Sequence, residues 1–265
     1  MSYIEAIILG IVQGLTEFLP VSSSGHLVLL QKIMGIGEGS LSIDIALHLA
    51  TLIPVFIVFR KDILGILRKP FGKLTWLLVV ATIPAVIVAL VLKDPIEHLF
   101  QTGTLLAKGF LFTALIILCS DIIRGEGKDS SNISFLDAIA IGLAQALAIF
   151  PAISRSGLTI SAGIFRGLKR EDAAKFSFLL SIIAILGAVT LDLPNLFNLL
   201  REGGESAVSI GPLLIGMIFA ALSGFLAIKL VLKLLSLKKF KYFSVYLCVL
   251  ALGIIIDQIF LHIIQ

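Results

Sequence analysis

The sequence predicts an all-α integral membrane protein with an inverted-topology repeat, in which each half contains one re-entrant helical hairpin and three transmembrane helices. Of its 265 residues, 58% are hydrophobic and only 14% are charged, whereas soluble domains carry roughly 25% charged residues. Several apolar runs approach the roughly 20 residues that a helix needs to cross a bilayer. A duplicated segment divides this single membrane domain, residues 1–265, into halves of about 1–130 and 131–265.

The duplicated segment indicates where a functional site lies. Residues 4–25 read IEAIILGIVQGLTEFLPVSSSG, and residues 136–157 read LDAIAIGLAQALAIFPAISRSG. The copies differ in their chemistry, because the first carries Glu17 and leads into His26, whereas the second carries Arg155 and leads into Thr159. Acid–base groups on one copy and an anion-binding group on the other predict an active site built between the two halves.

Six apolar runs are predicted to be complete crossings, at residues 42–59, 74–92, 104–123, 176–191, 211–235 and 242–264. The segments between them differ in charge, and basic segments stay in the cytoplasm. Segments 60–73 and 229–241 are rich in lysine and arginine and are predicted to lie inside. Segments 93–107 and 192–210 carry more acidic than basic residues and are predicted to lie outside.

This orientation places both ends of each repeat copy on one side of the membrane. The first copy begins and ends outside, and the second begins and ends inside, so each must enter the bilayer, turn and return. The bends are predicted at residues 20–25 and 151–157, where a proline ends the first arm and serines cap the second. Broken helices at the midplane form binding sites in inverted-repeat proteins, and their free amide groups attract anions.

Arg155 is the residue that most strongly indicates a functional site, because an arginine at the apex of an intramembrane hairpin is costly without a partner. One interpretation is a structural salt bridge to Glu17. The other is a clamp for a phosphate or carboxylate, which a guanidinium binds bidentately. Ser154 and Ser156 add neutral donors beside Arg155 and favour the clamp.

The first copy supplies the candidate acid–base groups. Glu17 shares a helix face with Gln13 and is predicted to be a general base, a divalent-metal ligand or the structural partner of Arg155. His26 follows the bend and can act as an acid, a base or a nucleophile. Ser23, at the position equivalent to Arg155, is either a nucleophile activated by Glu17 or His26, or a hydrogen-bond donor to phosphate.

Other polar or small residues in the apolar runs are predicted to serve packing. His48 lies inside a predicted crossing. A packing hydrogen bond is the preferred interpretation for it, and a role in the site is the second. Gly142, Gly163 and Gly187 are interpreted as close contacts between helices. Arg166 and its basic neighbours are topology determinants that can also contact anionic lipid head groups.

These groups fit phosphoryl hydrolysis, in which an arginine and backbone amides stabilise the charge on the phosphoryl group. The depth of the site implies an amphiphilic substrate. A transporter or flippase for a lipid phosphate is the main alternative, since inverted repeats are common among transporters. A non-catalytic scaffold is a third. Acid–base groups confined to one copy favour hydrolysis.

Residues 13–26, QGLTEFLPVSSSGH, and residues 151–159, PAISRSGLT, resemble the two signature motifs of the undecaprenyl-pyrophosphate phosphatase family of the bacitracin-resistance type. Residues 165–181, FRGLKREDAAKFSFLLS, are similar to the same family. The resemblance implies hydrolysis of undecaprenyl pyrophosphate to the monophosphate and inorganic phosphate, which recycles the lipid carrier for cell-wall polymer synthesis. It also implies a multi-pass protein of the cell membrane, an active site facing the extracytoplasmic side, and a divalent cation, magnesium or calcium.

Carried over by position, the resemblance implies catalytic roles for Glu17, Ser23, His26 and Arg155. It implies substrate-binding roles for the neighbouring polar residues Gln13, Ser22, Ser24, Ser154, Ser156 and Thr159. Three positions depart from the family pattern: Gln13 stands where many members have glutamate, Ala152 where glycine is common, and His48 where many have glutamine. The first departure weakens a metal site built on two carboxylates. The expected partners are the polyprenyl pyrophosphate and membrane lipids, with no nucleic acid, and a homodimer is left open.

Overall fold

The computed structural model describes residues 1–35, 41–123, 127–202 and 210–261, and across them the chain is helical without a β-strand. In chain order the α-helices are α1 (Tyr3–Phe18), α2 (Ser23–Met34), α3 (Leu41–Val58), α4 (Arg60–Arg68), α5 (Lys73–Val91), α6 (Lys93–Thr102), α7 (Leu106–Ile122), α8 (Phe135–Leu147), α9 (Arg155–Phe165), α10 (Arg170–Glu202), α11 (Ile210–Ser236) and α12 (Lys241–Ile256). A short 3₁₀ turn precedes α8, and a π-helical turn, Asp257–Leu261, follows α12.

Four of the described helices are long and apolar enough to cross a membrane: α5, the Arg170–Leu191 part of α10, α11, and α12 with its π turn. Ile43–Val58 and α4 make a fifth if they form one span, which is bent by 87°. The run predicted at 104–123 is α7, whose 17 residues are at the lower limit for a bilayer. Residues 262–264 of the last predicted crossing lie outside the described residues.

Helix α10 is longer than the membrane crossing predicted for this part of the chain. The crossing was expected at 176–191 and a loop at 192–210, but the helix runs for 33 residues, Arg170–Glu202. A change from apolar to polar sequence ends a membrane span without ending a helix, because leucine, arginine and glutamate all have high helix propensity. Residues 203–209 of the predicted loop lie outside the described residues.

The two copies of the repeat fold into similar helix pairs, α1 with α2 and α8 with α9. Each pair begins with the same reciprocal cap. Glu5 accepts a hydrogen bond from the Ser2 amide at 2.8 Å, and Asp137 accepts one from the Ser134 amide at 2.8 Å. The carboxylate recurs in both copies because it satisfies a free amide at the helix start.

The bends between paired helices are capped by serines, as predicted. Ser22 Oγ accepts from the Gly25 amide at 3.4 Å, and Ser154 Oγ accepts from the Gly157 amide at 3.0 Å. Each bend also contains a non-glycine residue with a positive φ, Ser22 at 71° and Ala152 at 61°. Both bends are therefore specific conformations that neighbouring contacts must hold.

Glycines bring the first helix of each pair into close contact with a membrane helix. A Cβ on Gly10 would lie 2.3 Å from the Gly216 oxygen of α11, and a Cβ on Gly142, its counterpart in the repeat, 2.5 Å from the Ala81 oxygen of α5. The close contacts predicted for Gly142 and Gly163 are confirmed. The one predicted for Gly187 is wrong, because a Cβ added there would have no neighbouring atom of the described residues within 4 Å.

Replacing Gly14 by alanine is expected to separate α1 from α11 and to lower the thermal unfolding temperature in detergent. The added Cβ would meet Ser223 Oγ at 2.1 Å and the Ala220 oxygen at 2.2 Å, and overpacking of this kind costs about 1–3 kcal/mol. Gly187→Ala is the matched control, expected to be neutral or to stabilise by up to about 1 kcal/mol through helix propensity. Equal unfolding temperatures for the two variants would contradict the packing described for α1.

Candidate active site

Glu17, in the last turn of α1, is the centre of a buried polar cluster and is 6% exposed. Arg155 Nη2 donates to its Oε1 at 2.7 Å. Ser23 Oγ and Gln13 Nε2 donate to its Oε2 at 2.7 Å and 3.1 Å, and His48 Nε2 lies 3.6 Å from the same oxygen. One carboxylate therefore joins side chains from both copies of the repeat.

The two bends touch each other, as the sequence predicts. Ser156 Oγ in the second bend donates to the Leu19 carbonyl in the first at 3.0 Å. Gly25 lies directly against Ala152, since a Cβ on Gly25 would be 2.9 Å from the Ala152 Cα. This contact places the start of α9, with Arg155, opposite the end of α1, with Glu17.

A cavity of about 330 Å³ lies beside the ion pair of Glu17 and Arg155. Its polar lining residues are Thr16, Glu17, Ser22, Ser23, Ser24, Asp44, His48, Ser154 and Arg155. Its apolar lining residues are Ile45, Phe100, Ala148, Ile149, Ile153, Ala184, Ile185, Ala188 and Val189. A cavity lined by both kinds of residue suits a ligand that has an anionic head and a hydrocarbon tail.

The position of Arg155 is compatible with both roles between which the sequence did not decide, and its role as a phosphate clamp stays a prediction. The predicted salt bridge to Glu17 is present, and it offsets the cost of burying both charges. The side chain of Arg155 is nevertheless 15% exposed and lines the cavity. Its guanidinium is thus available to a phosphate, whose oxygens can replace the carboxylate as its partner.

Ser23 has the geometry of an activated hydroxyl. It is the first residue of α2, its side chain lines the cavity, and its hydroxyl donates to Glu17 at 2.7 Å. A hydroxyl within hydrogen-bond reach of a carboxylate is the arrangement that allows proton removal during nucleophilic attack. Ser22 and Ser24 also line the cavity, with their hydroxyls 3.3 Å apart.

His26 does not reach the cavity. Its Nδ1 contacts the Ser22 carbonyl at 2.7 Å, and its Nε2 contacts the Tyr246 hydroxyl at 2.7 Å. The imidazole is stacked on the Tyr246 ring and packs edge-on against Phe110. The imidazole of His26 therefore contacts α7 and α12, and no hydrogen bond joins it to Glu17 or Ser23 in the described structure. A catalytic role for His26 stays a prediction.

Three other predicted site residues lie behind the lining of the cavity. Ser156 donates to the first bend as described, and Thr159 Oγ1 lies 2.7 Å from the Arg155 carbonyl and 2.6 Å from Ser177 Oγ. Gln13 contacts Glu17 from the preceding turn of α1. These side chains support the residues that face the cavity, and their direct contact with a substrate stays a prediction. Ser154, in contrast, lines the cavity as well as capping α9.

Three residues near the site have a place that the sequence did not indicate. His48 makes the predicted packing hydrogen bond, from Nδ1 to the Asp44 carbonyl at 2.7 Å, but its Nε2 also lies 3.6 Å from Glu17 Oε2 and it lines the cavity. Asp44, which accepts from Gln31 at 2.9 Å, lines the same cavity, and Tyr246 contacts His26. Asp44 and His48 are four residues apart in α3, the same spacing as Gln13 and Glu17 in α1. This shared spacing is the feature of the sequence that could have indicated their place at the site.

The oxygen atoms around Glu17 fit a hard divalent cation. Gln13 Oε1 is a buried amide oxygen with no hydrogen-bond partner, next to the carboxylate. Magnesium is commonly held by one or two carboxylates together with substrate phosphates. Among the described residues no group of three or more His, Cys, Asp or Glu side chains could hold a metal, so oxygens of the substrate would have to complete its coordination.

The helices and the cavity define a multi-pass membrane protein with a buried polar site between two repeated hairpins. The chain belongs to the family described as bacitracin resistance protein BacA, whose family model matches residues 6–254. It is 48% identical to an undecaprenyl-diphosphatase of Carboxydothermus hydrogenoformans, over 97% of this chain and 98% of that protein. It is 43% identical to undecaprenyl-diphosphatase 4 of Bacillus thuringiensis, over 97% and 96%, and 39% identical to an undecaprenyl-diphosphatase of Methanobrevibacter smithii, over 98% and 99%.

Proposed function

We propose that this protein is an undecaprenyl-diphosphatase, which hydrolyses undecaprenyl pyrophosphate to the monophosphate and inorganic phosphate. The relatives with this name match almost the whole chain. The observation that carries the proposal is the shared carboxylate, because Glu17 contacts a possible nucleophile, Ser23, and a phosphate-binding cation, Arg155, beside one cavity. The product is the lipid carrier, which is returned to cell-wall polymer synthesis.

In the proposed reaction, Arg155 and the free amides at the start of α2 and α9 hold the pyrophosphate. The Ser23 oxygen, or a water molecule held beside it, attacks the terminal phosphorus, while Glu17 accepts the proton. The bond from that phosphorus to the bridging oxygen breaks, and its electron pair leaves with undecaprenyl monophosphate. If Ser23 attacks, water then cleaves the serine phosphate and releases inorganic phosphate. Ser23 is favoured over His26 because only Ser23 lines the cavity.

A magnesium or calcium ion is the proposed cofactor. When bound, it would neutralise negative charge on the pyrophosphate. Glu17, whose carboxylate lines the cavity, is the protein group that would hold it. Because this chain has glutamine at position 13, a single carboxylate carries the charge of the proposed site, and the substrate supplies the rest.

The apolar residues of the cavity lining mark the proposed entry for the isoprenoid tail. Ala184, Ile185 and Ala188 lie on one face of α10, a membrane helix, and they border the same cavity as Arg155. In the proposed complex these side chains contact the hydrocarbon chain. The phosphate end then lies at the bends and the tail extends towards the lipid.

Three further contacts support the proposal that the helix pairs are re-entrant hairpins of opposite orientation. At the second pair, Arg166 after α9 donates to Asp137 at the start of α8 at 2.8 Å, so both ends lie together. At the first pair, a Cβ on Gly211 would meet the Tyr3 hydroxyl at 2.6 Å, and one on Gly103 would meet Lys32 Nζ at 3.2 Å. Gly211 and Gly103 belong to or border segments predicted to lie outside.

An extracytoplasmic opening of the cavity is proposed on the same basis. Phe100, in the helix α6 that follows α5, lies within the segment 93–107 that is predicted to be outside, and it lines the cavity. Asp44, near the start of α3, lines it as well. The cavity therefore borders the ends of helices that the charge pattern assigns to the outer side.

Phosphate release by the purified protein in detergent tests the proposed function. With undecaprenyl pyrophosphate as substrate and magnesium or calcium present, we expect one inorganic phosphate for each lipid monophosphate formed. A transporter or flippase for a lipid phosphate would instead move lipid across vesicles and release no phosphate. Movement without hydrolysis would overturn the proposal in favour of that alternative.

A further inference from the structure

The two bends share an unusual conformation that needs external support. Ser22 has φ of 71° and Ala152 has φ of 61°, a region that costs about 1 kcal/mol or more for residues other than glycine. Both residues are buried. Ser22 immediately precedes Ser23, so the conformation of the first bend determines where the Ser23 hydroxyl points.

The second bend is held by a hydroxyl group from α7. Thr113 Oγ1 accepts from the Ser154 amide at 3.0 Å and contacts the Ala152 carbonyl at 3.5 Å. Thr113 is fully buried, so these backbone groups are its partners in place of water. One side chain therefore connects the strained residue to the cap of α9.

The first bend is held by a longer connection from α12. A carbonyl only accepts, so His26 Nδ1 must donate to the Ser22 carbonyl. In the neutral ring, Nε2 then accepts, and the Tyr246 hydroxyl donates to it at 2.7 Å. The two rings lie nearly parallel, with 10° between their planes. The hydrogen bonds therefore run from the Tyr246 hydroxyl to His26 and from His26 to the Ser22 carbonyl.

The two supports occupy comparable places in the two halves. Thr113 lies on α7 and Tyr246 on α12, helices that pack against each other. Their positions differ by 133 residues, close to the 132 that separate the copies beginning at residues 4 and 136. Each half therefore provides one hydroxyl group that holds the bend of the other half.

We infer that Tyr246 is a positioning residue, which acts through His26 to hold the Ser22 backbone and thereby aims the Ser23 hydroxyl at Glu17. The inference rests on the proposed function and adds a residue to it. Its physical basis is that neither Tyr246 nor His26 lines the cavity, whereas their hydrogen bonds end on the residue that precedes Ser23.

Substituting His26 separates positioning from direct chemistry. The side-chain amide of asparagine can place its nitrogen near the position of Nδ1 and still donate to the Ser22 carbonyl. We expect His26→Ala to lower kcat by about 100-fold, as misplacement of a reacting group does, and His26→Asn to lower it by only about 10-fold, because asparagine restores the bond to Ser22 but not the contact with Tyr246. An asparagine variant as inactive as the alanine variant would overturn the inference, because it would indicate that the imidazole itself reacts.

Tyr246→Phe tests the hydroxyl alone, since the phenylalanine ring keeps the stacking. We expect kcat to fall by about 10-fold, the effect of one lost hydrogen bond on a barrier, with KM changed by less than about twofold. In the His26→Asn background the same substitution should have no additional effect, because asparagine offers no Nε2. Tyr242→Phe, exposed on the same helix, is the control and should leave kcat unchanged.

The result distinguishes this inference from the proposed function. If the wild-type protein releases phosphate and Tyr246→Phe does so at the same kcat, or if the loss persists in the His26→Asn background, only the positioning role fails. Nitrogen NMR of labelled histidine reads the connection without turnover. We expect the His26 Nε2 signal to shift in Tyr246→Phe, because Nε2 loses its hydrogen-bond donor while Nδ1 stays protonated, and not to shift in Tyr242→Phe; an unchanged Nε2 signal would also overturn the inference.

Discussion

Arg155→Ala is expected to lower the kcat of phosphate release by on the order of 10³-fold or more, as removal of an arginine that stabilises a transferring phosphoryl group does. Arg155 is the cation in the lining of the cavity, and it already contacts Glu17 at 2.7 Å. Its removal takes away the binding charge for the pyrophosphate and also leaves a buried carboxylate unpaired. The measurement is steady-state phosphate release in detergent.

Loss of folding must be separated from loss of chemistry in that experiment, because breaking one partner of a buried ion pair costs about 3–5 kcal/mol. Combining Arg155→Ala with Glu17→Gln removes the unpaired charge and should restore the thermal unfolding temperature but not the activity. Arg166→Ala, on the same helix pair but paired with Asp137, should retain activity within about twofold. Near-normal phosphate release by Arg155→Ala would refute the proposed site.

Ser23→Ala is expected to lower kcat by about 10²–10⁴-fold, the range associated with loss of a positioned proton-transfer partner in the transition state. The hydroxyl of Ser23 is the one that both lines the cavity and donates to Glu17 in the described structure. Ser24 lines the same cavity but contacts Ser22 instead. Ser24→Ala should therefore lose less than about 10-fold, and equal losses for the two variants would contradict the assigned geometry.

A second measurement identifies the nucleophile. Mass spectrometry of protein that is quenched during turnover detects a phosphorylated side chain if one forms. Phosphate on Ser23 would identify the serine as the attacking group, and phosphate on His26 would contradict the position of the imidazole outside the cavity. Absence of any phosphorylated side chain, with Ser23→Ala still impaired, would assign the attack to water that Ser23 and Glu17 orient.

The repeat made the partnership of Glu17 and Arg155 predictable. In the predicted topology two hairpins enter the membrane from opposite faces, so their bends lie at similar depth, where a buried charge must find a partner. The contact between Ser156 and Leu19 and the ion pair agree with this expectation. Capping by Ser22 and Ser154 was predictable for a similar reason, since a buried helix start needs an acceptor for its free amides.

Proximity along the chain was a poor guide to His26. His26 lies close to Glu17 in sequence, yet after the bend at Ser22 the two side chains point in different directions. The imidazole contacts Tyr246, 220 residues away. His48 shows the opposite case, because nothing local connects it to Glu17, and packing places its Nε2 3.6 Å from that carboxylate. The direction of a side chain after a bend depends on backbone angles that residue types do not specify.

The amino-acid sequence alone indicated the membrane environment of this protein, its helical class and its duplicated plan, because hydropathy and repetition can be read from residue types. It offered the pairing of Glu17 with Arg155 as one of two interpretations, because a buried charge is costly without a partner. Only the tertiary structure decided which polar side chains face the cavity and which lie behind it. That choice depends on how α3, α10 and α12 pack around the two bends. Such packing is the sum of many weak contacts between distant segments, none of which leaves a local pattern.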